Sequence, residues 1–182
     1  MPAINGLDTD ELLAIVESVK QNWDRGRTVW KASARWLGGF RVETGSRDFK
    51  LTQDEPDMLA GTDTAANPVE LVLQAYGACL AIGYAMNAAV RGIAIRDLRI
   101  DVEGEIDLPG FLGLVPPEEA HMDRLPGYKK VTARVKLRAD ADATTLRELH
   151  DHVVRTSPVG VTLSRPVAIE TEFEAVPEEQ AA

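Results

Sequence analysis

Apolar and polar positions recur along this chain with two periods, and the switches between them mark out its elements. Leu12, Ile15, Val16, Val19 and Trp23 follow Asp8-Thr9-Asp10-Glu11, which resembles a capping box, at helical spacing. The pattern predicts an amphipathic helix over 8–23, broken by Asp24-Arg25-Gly26. From Thr28 to Trp36 the period drops to two, with Trp30, Ala32, Ala34 and Trp36 on one face of a strand. Gly38-Gly39 then turns the chain into a returning arm at Phe40 to Glu43. A third short strand is predicted at Asp48 to Thr52, and 54–67 reads as a loop.

Periodicity then disappears. Leu71 to Val90, LVLQAYGACLAIGYAMNAAV, carries no charge, with Glu70 in front and Arg91 behind. Asn67-Pro68 is a helix start, because proline in the first turn gives up no hydrogen bond. Glu70 lies where the helix dipole favours an anion. The helix is expected to run to Arg91 and stop at Gly92. About 20 apolar residues can span a bilayer. This run, however, is rich in Ala and Gly, contains Gln74 and Asn87, and lacks an aromatic belt, so it reads as a buried helix of a soluble protein. A helix apolar on all sides needs cover on all sides. Gly77, Ala81, Ala85 and Ala89 form a stripe of small residues at i, i+4 spacing. We expect a second copy of the helix to pair there, giving a homodimer, unless the stripe packs under the chain's own sheet.

Two strands follow, with Leu98, Ile100 and Val102 inward in one and Val131, Ala133, Val135 and Leu137 inward in the other. The outward face of 130–138 is basic, whereas the outward faces of 99–105 and 170–174 are mostly acidic. Opposite charges favour placing the basic strand beside an acidic one. Between the two strands, 108–127 is long and rich in Pro and Gly, as in a lid or binding loop. Asp142 or Thr144 caps a helix carrying Leu146, Leu149, Val153 and Val154, which ends at Ser157-Pro158. A last strand is predicted over Val167 to Phe173, with Val167, Ile169 and Phe173 inward. The strands come in adjacent groups rather than alternating with helices, which indicates α+β with an antiparallel sheet covered by helices on one face.

The chain has 182 residues, 45% hydrophobic and 27% charged, enough for a real core. We divide it into an N-terminal helical extension (1–26), one domain (27–176) and a frayed tail (177–182). The net charge of −9 argues against nucleic acid as a partner. The opening residues lack the pattern of a signal peptide, and with one free thiol a cytoplasmic location is expected. No cofactor, metal or membrane partner is expected. His150 and His152 lie two apart and do not share a helix face; one is expected half-buried and the other solvated. His121 and Met122 fall in the long loop, where a lid contact is conceivable. Tyr128, Trp30 and Trp36 read as core or pocket lining.

Cys79, the single cysteine, sits in the middle of the uncharged run. By pattern alone it is either inert core or a reactive thiol. It lies roughly opposite Gly77 and Ala81 on the helix. Glu70, nine residues earlier, is about 13–14 Å away along an unbroken helix, and could reach a Cys79 only across a dimer.

The stretches NPVELVLQAYGACLAIGYAMNAAVRGIAI, LRIDVEGEIDLPGFLG, LPGYKKVTARVKL and SPVGVTLSRPVAIE resemble the OsmC family of osmotically inducible and organic-hydroperoxide resistance proteins. The resemblance spans about Val29 to Phe173; Pro-x-Glu-Leu followed by Gly-Ala-Cys is its most specific part. It implies an α+β, OsmC-like fold, with an antiparallel sheet wrapped around a long central helix in an intertwined homodimer. It also implies that Cys79 is the reactive thiol, Arg41 just past Gly38-Gly39 the cation beside it (Arg47 and Arg35 match less well), and Glu70 an acidic position common in the wider family. Two positions depart from the peroxide-reducing members. Ser157, in Ser-Pro-Val, stands where they carry a second cysteine, and Val69 where they carry a glutamate. The implied activity is reduction of a hydroperoxide by Cys79 with an external thiol as reductant. The alternative is a non-peroxidatic dimer that binds a small apolar or electrophilic ligand in the same interface pocket.

Overall fold

The computed structural model describes residues 3–116 and 125–176. It is an α+β fold of two antiparallel sheets and one long helix. Helix α1 (Thr9–Gln21) is capped by Asp8, whose carboxylate accepts the N–H groups of Asp10 and Glu11. Its apolar face is only partly covered: Leu12 and Val19 are half-buried, while Ile15 and Val16 are exposed. A 3₁₀ turn (Trp23–Gly26) follows. Asn5 ties the N-terminal segment down. Its side chain donates to the Ile93 carbonyl at 3.0 Å and accepts the Ile95 N–H at 2.8 Å.

Strands β1 (Ser33–Gly38), β2 (Arg41–Ser46) and β3 (Phe49–Gln53) form a three-stranded meander. The first strand is shorter than the sequence predicts. Residues 28–32 lie outside any ladder, and Trp30 is 81% exposed. Trp36 is exposed too, so neither tryptophan is core. The meander makes no substantial packing contact with the long helix.

Asp54 closes the loop that follows. Its buried carboxylate accepts from the backbone N–H groups of Glu55, Thr62 and Thr64 and from both threonine hydroxyls. The Thr62 hydroxyl bond, followed by those of Thr64, outweighs the cost of burial and holds this carboxyl far below the usual carboxylate range. Gly61 is required here, because a Cβ would collide with the Glu55 backbone.

Helix α2 (Pro68–Val90) starts in a full capping box. Asn67 Oδ1 accepts the Glu70 N–H, and the Glu70 carboxylate accepts the Asn67 N–H, both at 2.9 Å. It ends at Arg91, with Gly92 left-handed at φ 72°. By length and composition α2 could cross a membrane. Here it is the central helix, flanked by β4, α4, α5 and α1.

Strands β4 (Ile95–Ile106) and β5 (Tyr128–Ala139) pair along their whole length, with Leu98 opposite Leu137 and Ile100 opposite Val135. The predicted charge match holds: Asp101 faces Arg134 and Glu105 faces Lys130 in register, and Arg134 donates to Glu103 at 2.6 Å. These exposed pairs select register more than they stabilise, at about 0–1 kcal/mol each. The long connection contains a short helix, α3 (Leu108–Phe111); His121 and Met122 lie outside the described residues.

Helix α4 (Ala143–Thr156) is capped by Asp142, and α5 (Pro158–Leu163), which the sequence pattern did not reveal, follows at once. The core gathers Leu80, Tyr84 and Ala88 of α2 with Ile93, Leu149 and Val153, over the inward residues of β4 and β5.

The predicted last strand does not form. Residues 165–176 lie outside any ladder, and Ile169 and Phe173 are 86% and 92% exposed instead of inward. A strand needs a sheet edge to satisfy its backbone groups, and here the segment has none. One end of the small-residue stripe lies against the chain's own sheet, where a Cβ on Gly77 would come 3.3 Å from Val102 of β4; Ala89, at the other end, is buried. The open side of α2 is instead Ala75, Ala78, Ile82 and Met86.

Candidate functional site

The site is built at the corner between α4 and α5. Proline cannot continue α4, because it lacks an N–H and its ring clashes with the preceding turn. It is well suited, however, to the first turn of a new helix. Ser157 is therefore at once the C-terminal flank of α4 and the N-cap of α5, and it is buried. Two glycines let this corner approach α2. A Cβ on Gly83 would lie 3.0 Å from Val153 of α4, and one on Gly160 would lie 2.9 Å from the Tyr76 ring.

The result is a contact between Cys79 and Ser157, with Sγ and Oγ 3.3 Å apart. Ser157 Oγ accepts the Gly160 N–H at 3.2 Å, leaving its hydroxyl hydrogen free. A thiolate can only accept, so in the ionised state Ser157 is the donor. Cys79 is half-buried. It lines an open groove of about 460 Å³ whose other walls include Ala78, Ile82, Met86, Val153 and Pro158. Among the described residues no charged side chain lines the groove, and Asn87 and Thr156 bring polar atoms to it. Asn87 donates to the Gly83 carbonyl and Thr156 to the His152 carbonyl. His152, one turn back on α4, is held below its usual value by burial and by the nearby Arg91 and Arg155.

Of the residues singled out from the sequence, Cys79 and Ser157 meet, whereas Arg41 and Glu70 stand apart from them within one chain. Glu70 caps α2 at its first turn, and the helix is unbroken from there to Cys79. Its charge, after burial itself, helps to raise the Tyr128 phenol above its usual value. Val69 offers its carbonyl to the Tyr128 hydroxyl at 2.8 Å. Tyr128 thus lines the interior, as expected, with its ring occupying the space above Gly104. Arg41 opens β2 and is exposed. Arg35 faces Glu43 at 3.9 Å, and Arg47 stacks over Phe49 at 4.9 Å, so both have other roles. His150 and His152 are both half-buried, which corrects the expectation that one is solvated. Among the described residues no group of three or more His, Cys, Asp or Glu side chains could hold a metal ion. Sequence reasoning missed the groove's other walls. Ala75, Ala78, Ile82 and Met86 recur at i, i+3 and i+4 and carried the signal, but the neighbouring small stripe was more conspicuous.

A sequence model for OsmC-like protein matches residues 61–172. The chain belongs to the OsmC-like family. Solved structures share the fold. An OsmC-like protein from Mycoplasma pneumoniae aligns with TM-score 0.62 and 19% identity over 75% of this chain and 88% of that one. An OsmC-like protein of unknown function from Vibrio cholerae aligns with TM-score 0.61 and 10% identity over 75% and 94%. The organic hydroperoxide resistance protein OhrB of Bacillus subtilis aligns with TM-score 0.51 and 22% identity over 74% and 89%. No curated protein matches the sequence.

Proposed function

We propose that this OsmC-like protein is a homodimeric, cytoplasmic, single-cysteine reductase of organic hydroperoxides. The observation that carries this is the Cys79–Ser157 contact of 3.3 Å on the wall of an apolar groove. The thiolate of Cys79 attacks the outer peroxide oxygen. The O–O bond breaks, Cys79 becomes the sulfenic acid, and the departing alkoxide takes a proton and leaves as the alcohol. Ser157 carries no thiol, so it holds the sulfur by a hydrogen bond instead of forming a disulfide. A first external thiol condenses with the sulfenic acid, releasing water and leaving a mixed disulfide. A second frees Cys79 and leaves as the oxidised reductant. The apolar walls favour a hydroperoxide with an organic body over hydrogen peroxide.

The second copy supplies what one chain lacks. Ile82 is 69% exposed on the open side of α2, and Trp36, Phe49, Ile169 and Phe173 are exposed on the meander and on residues 165–176. That much uncovered apolar surface on a folded chain indicates an association face. Arg41 and Glu70 of the second copy are then the groups available to complete the groove, with Arg41 stabilising the thiolate.

The test is cumene hydroperoxide consumption with dithiothreitol as reductant. Cys79→Ser is expected to abolish it, and Ser157→Ala to slow it at least about tenfold, the worth of one hydrogen bond to a charged atom. Wild-type protein that reacts no faster than Cys79→Ser overturns the reading. The absence of a charged residue from the groove among the described residues of one chain favours one alternative, a dimer that binds a small apolar ligand there without turnover. In that case cumene, which has no peroxide group, binds and nothing is oxidised.

A further inference from the structure

A second hollow lies on the far side of α2. Tyr84 of α2, Val135 and Leu137 of β5, and Leu146, Arg147 and His150 of α4 line a space of about 440 Å³ that shares no residue with the Cys79 groove. Tyr84 is about 200° around the helix from Ile82, so this hollow and the Cys79 groove open on different sides of α2. Its size is within the range of small-molecule sites, about 300–1,000 Å³.

The polar groups here are arranged on an apolar floor. Tyr84 is 1% exposed and its hydroxyl meets His150 Nδ1, with the two rings stacked at 6.2 Å and 27°. Burial, then the neighbouring Asp151 and Tyr76, raises the Tyr84 phenol to about 12, so it stays protonated. A buried phenol needs an acceptor, and the only partner its hydroxyl has among the described residues is His150 Nδ1. With Nδ1 accepting from the phenol, the His150 ring presents an Nε2–H as a donor. Arg147, three residues before His150 and so on the same helix face, is exposed and pairs with no carboxylate among the described residues. Glu148 and Asp151 are on α4 as well but do not line the hollow.

We infer that this hollow binds a small apolar monocarboxylate, its carboxylate held by Arg147 and His150 and its hydrocarbon body on Val135, Leu137 and Leu146. One guanidinium and one ring N–H donor match the planar, two-oxygen geometry of a carboxylate. A phosphate dianion leaves a charge uncompensated, an amine meets the guanidinium, and an alcohol forgoes the ion pair.

Octanoate titrated into the ¹⁵N-labelled full chain tests this, with octyl phosphate, octanol and octylamine as comparisons. Saturable amide shifts are expected at Leu146 to His150 and Tyr84, with octanoate binding tightest. Arg147→Gln, at an exposed position, is expected to weaken octanoate at least about tenfold. Tyr84→Phe, which releases the His150 tautomer, weakens it less, and Cys79→Ser leaves it unchanged. No saturable shift up to about 10 mM, equal affinity in Arg147→Gln, tighter binding of octyl phosphate, or shifts confined to the Cys79 groove would each overturn the assignment.

Discussion

The half of the molecule made of α2, β4, β5 and α4 and the half made of β1 to β3 with residues 165–176 carry similar sequence patterns and end in opposite states. In the first, alternating Leu98, Ile100, Val135 and Leu137 pack around Leu80, Tyr84 and Leu149. In the second, Trp36, Leu51, Ile169 and Phe173 remain exposed. The difference is not in the residues. In the first half the partner surface is within the same chain. In the second the apolar side chains stay exposed among the described residues, and we propose that a second copy covers them. Alternation reports that one face wants burial, without saying by what.

The contrast can be broken at several points. The largest expected effect is in the closed half: Leu149→Ala, at a fully buried position, should lose about 2–5 kcal/mol in urea unfolding. A loss no greater than that of an exposed site would show that this core is not the foundation of the fold. Next is Ile82→Asp on the open side of α2. It should leave the helical circular dichroism intact and weaken dimerisation at least about thirtyfold, the signature of a residue worth about 2 kcal/mol at an interface. Sedimentation velocity measures this, and a wild type that sediments as a monomer would require another cover for the open half.

A smaller effect sharpens the boundary between the halves. Asn67→Ala removes the cap of α2 and its hydrogen bond to Glu55 at 3.1 Å, at about 1 kcal/mol in thermal unfolding. A neutral outcome would mean that packing alone places the helix start. Last is the Asp54 knot, between the meander and α2. Its carboxyl is held below the unfolded value of about 3.9. Its stabilisation is therefore complete above that value and fades as pH falls through the lower, folded one. Melting temperatures from pH 6 to pH 2 should fall more steeply in wild type than in Asp54→Asn; parallel curves would remove Asp54 from the acid response.

The local elements were legible because their signals are local. Asn67-Pro68 and Gly92 bracket α2, Asp142 caps α4, Gly38-Gly39 turns the hairpin, and charge along 99–105 and 130–138 indicated the β4–β5 pairing. Helix α5 was hidden because Ser157-Pro158 reads as a stop, and the same residues that end one helix begin the next. At the site, Cys79 and Ser157 could each be picked out, but not their contact. It depends on Gly83 and Gly160, whose missing side chains show their purpose only once α4 and α5 lie against α2.

Caps, turns and strand faces follow from residue order, since each is decided by interactions within a few residues. Which stripe of α2 lies under β4 and which is left open could not be read that way. Gly77 suits close approach to any surface, and only the path of the chain from Gly92 into β4 brings Val102 over it. Contacts between residues far apart in the chain depend on how the elements are packed, and that packing alone set Cys79 beside Ser157.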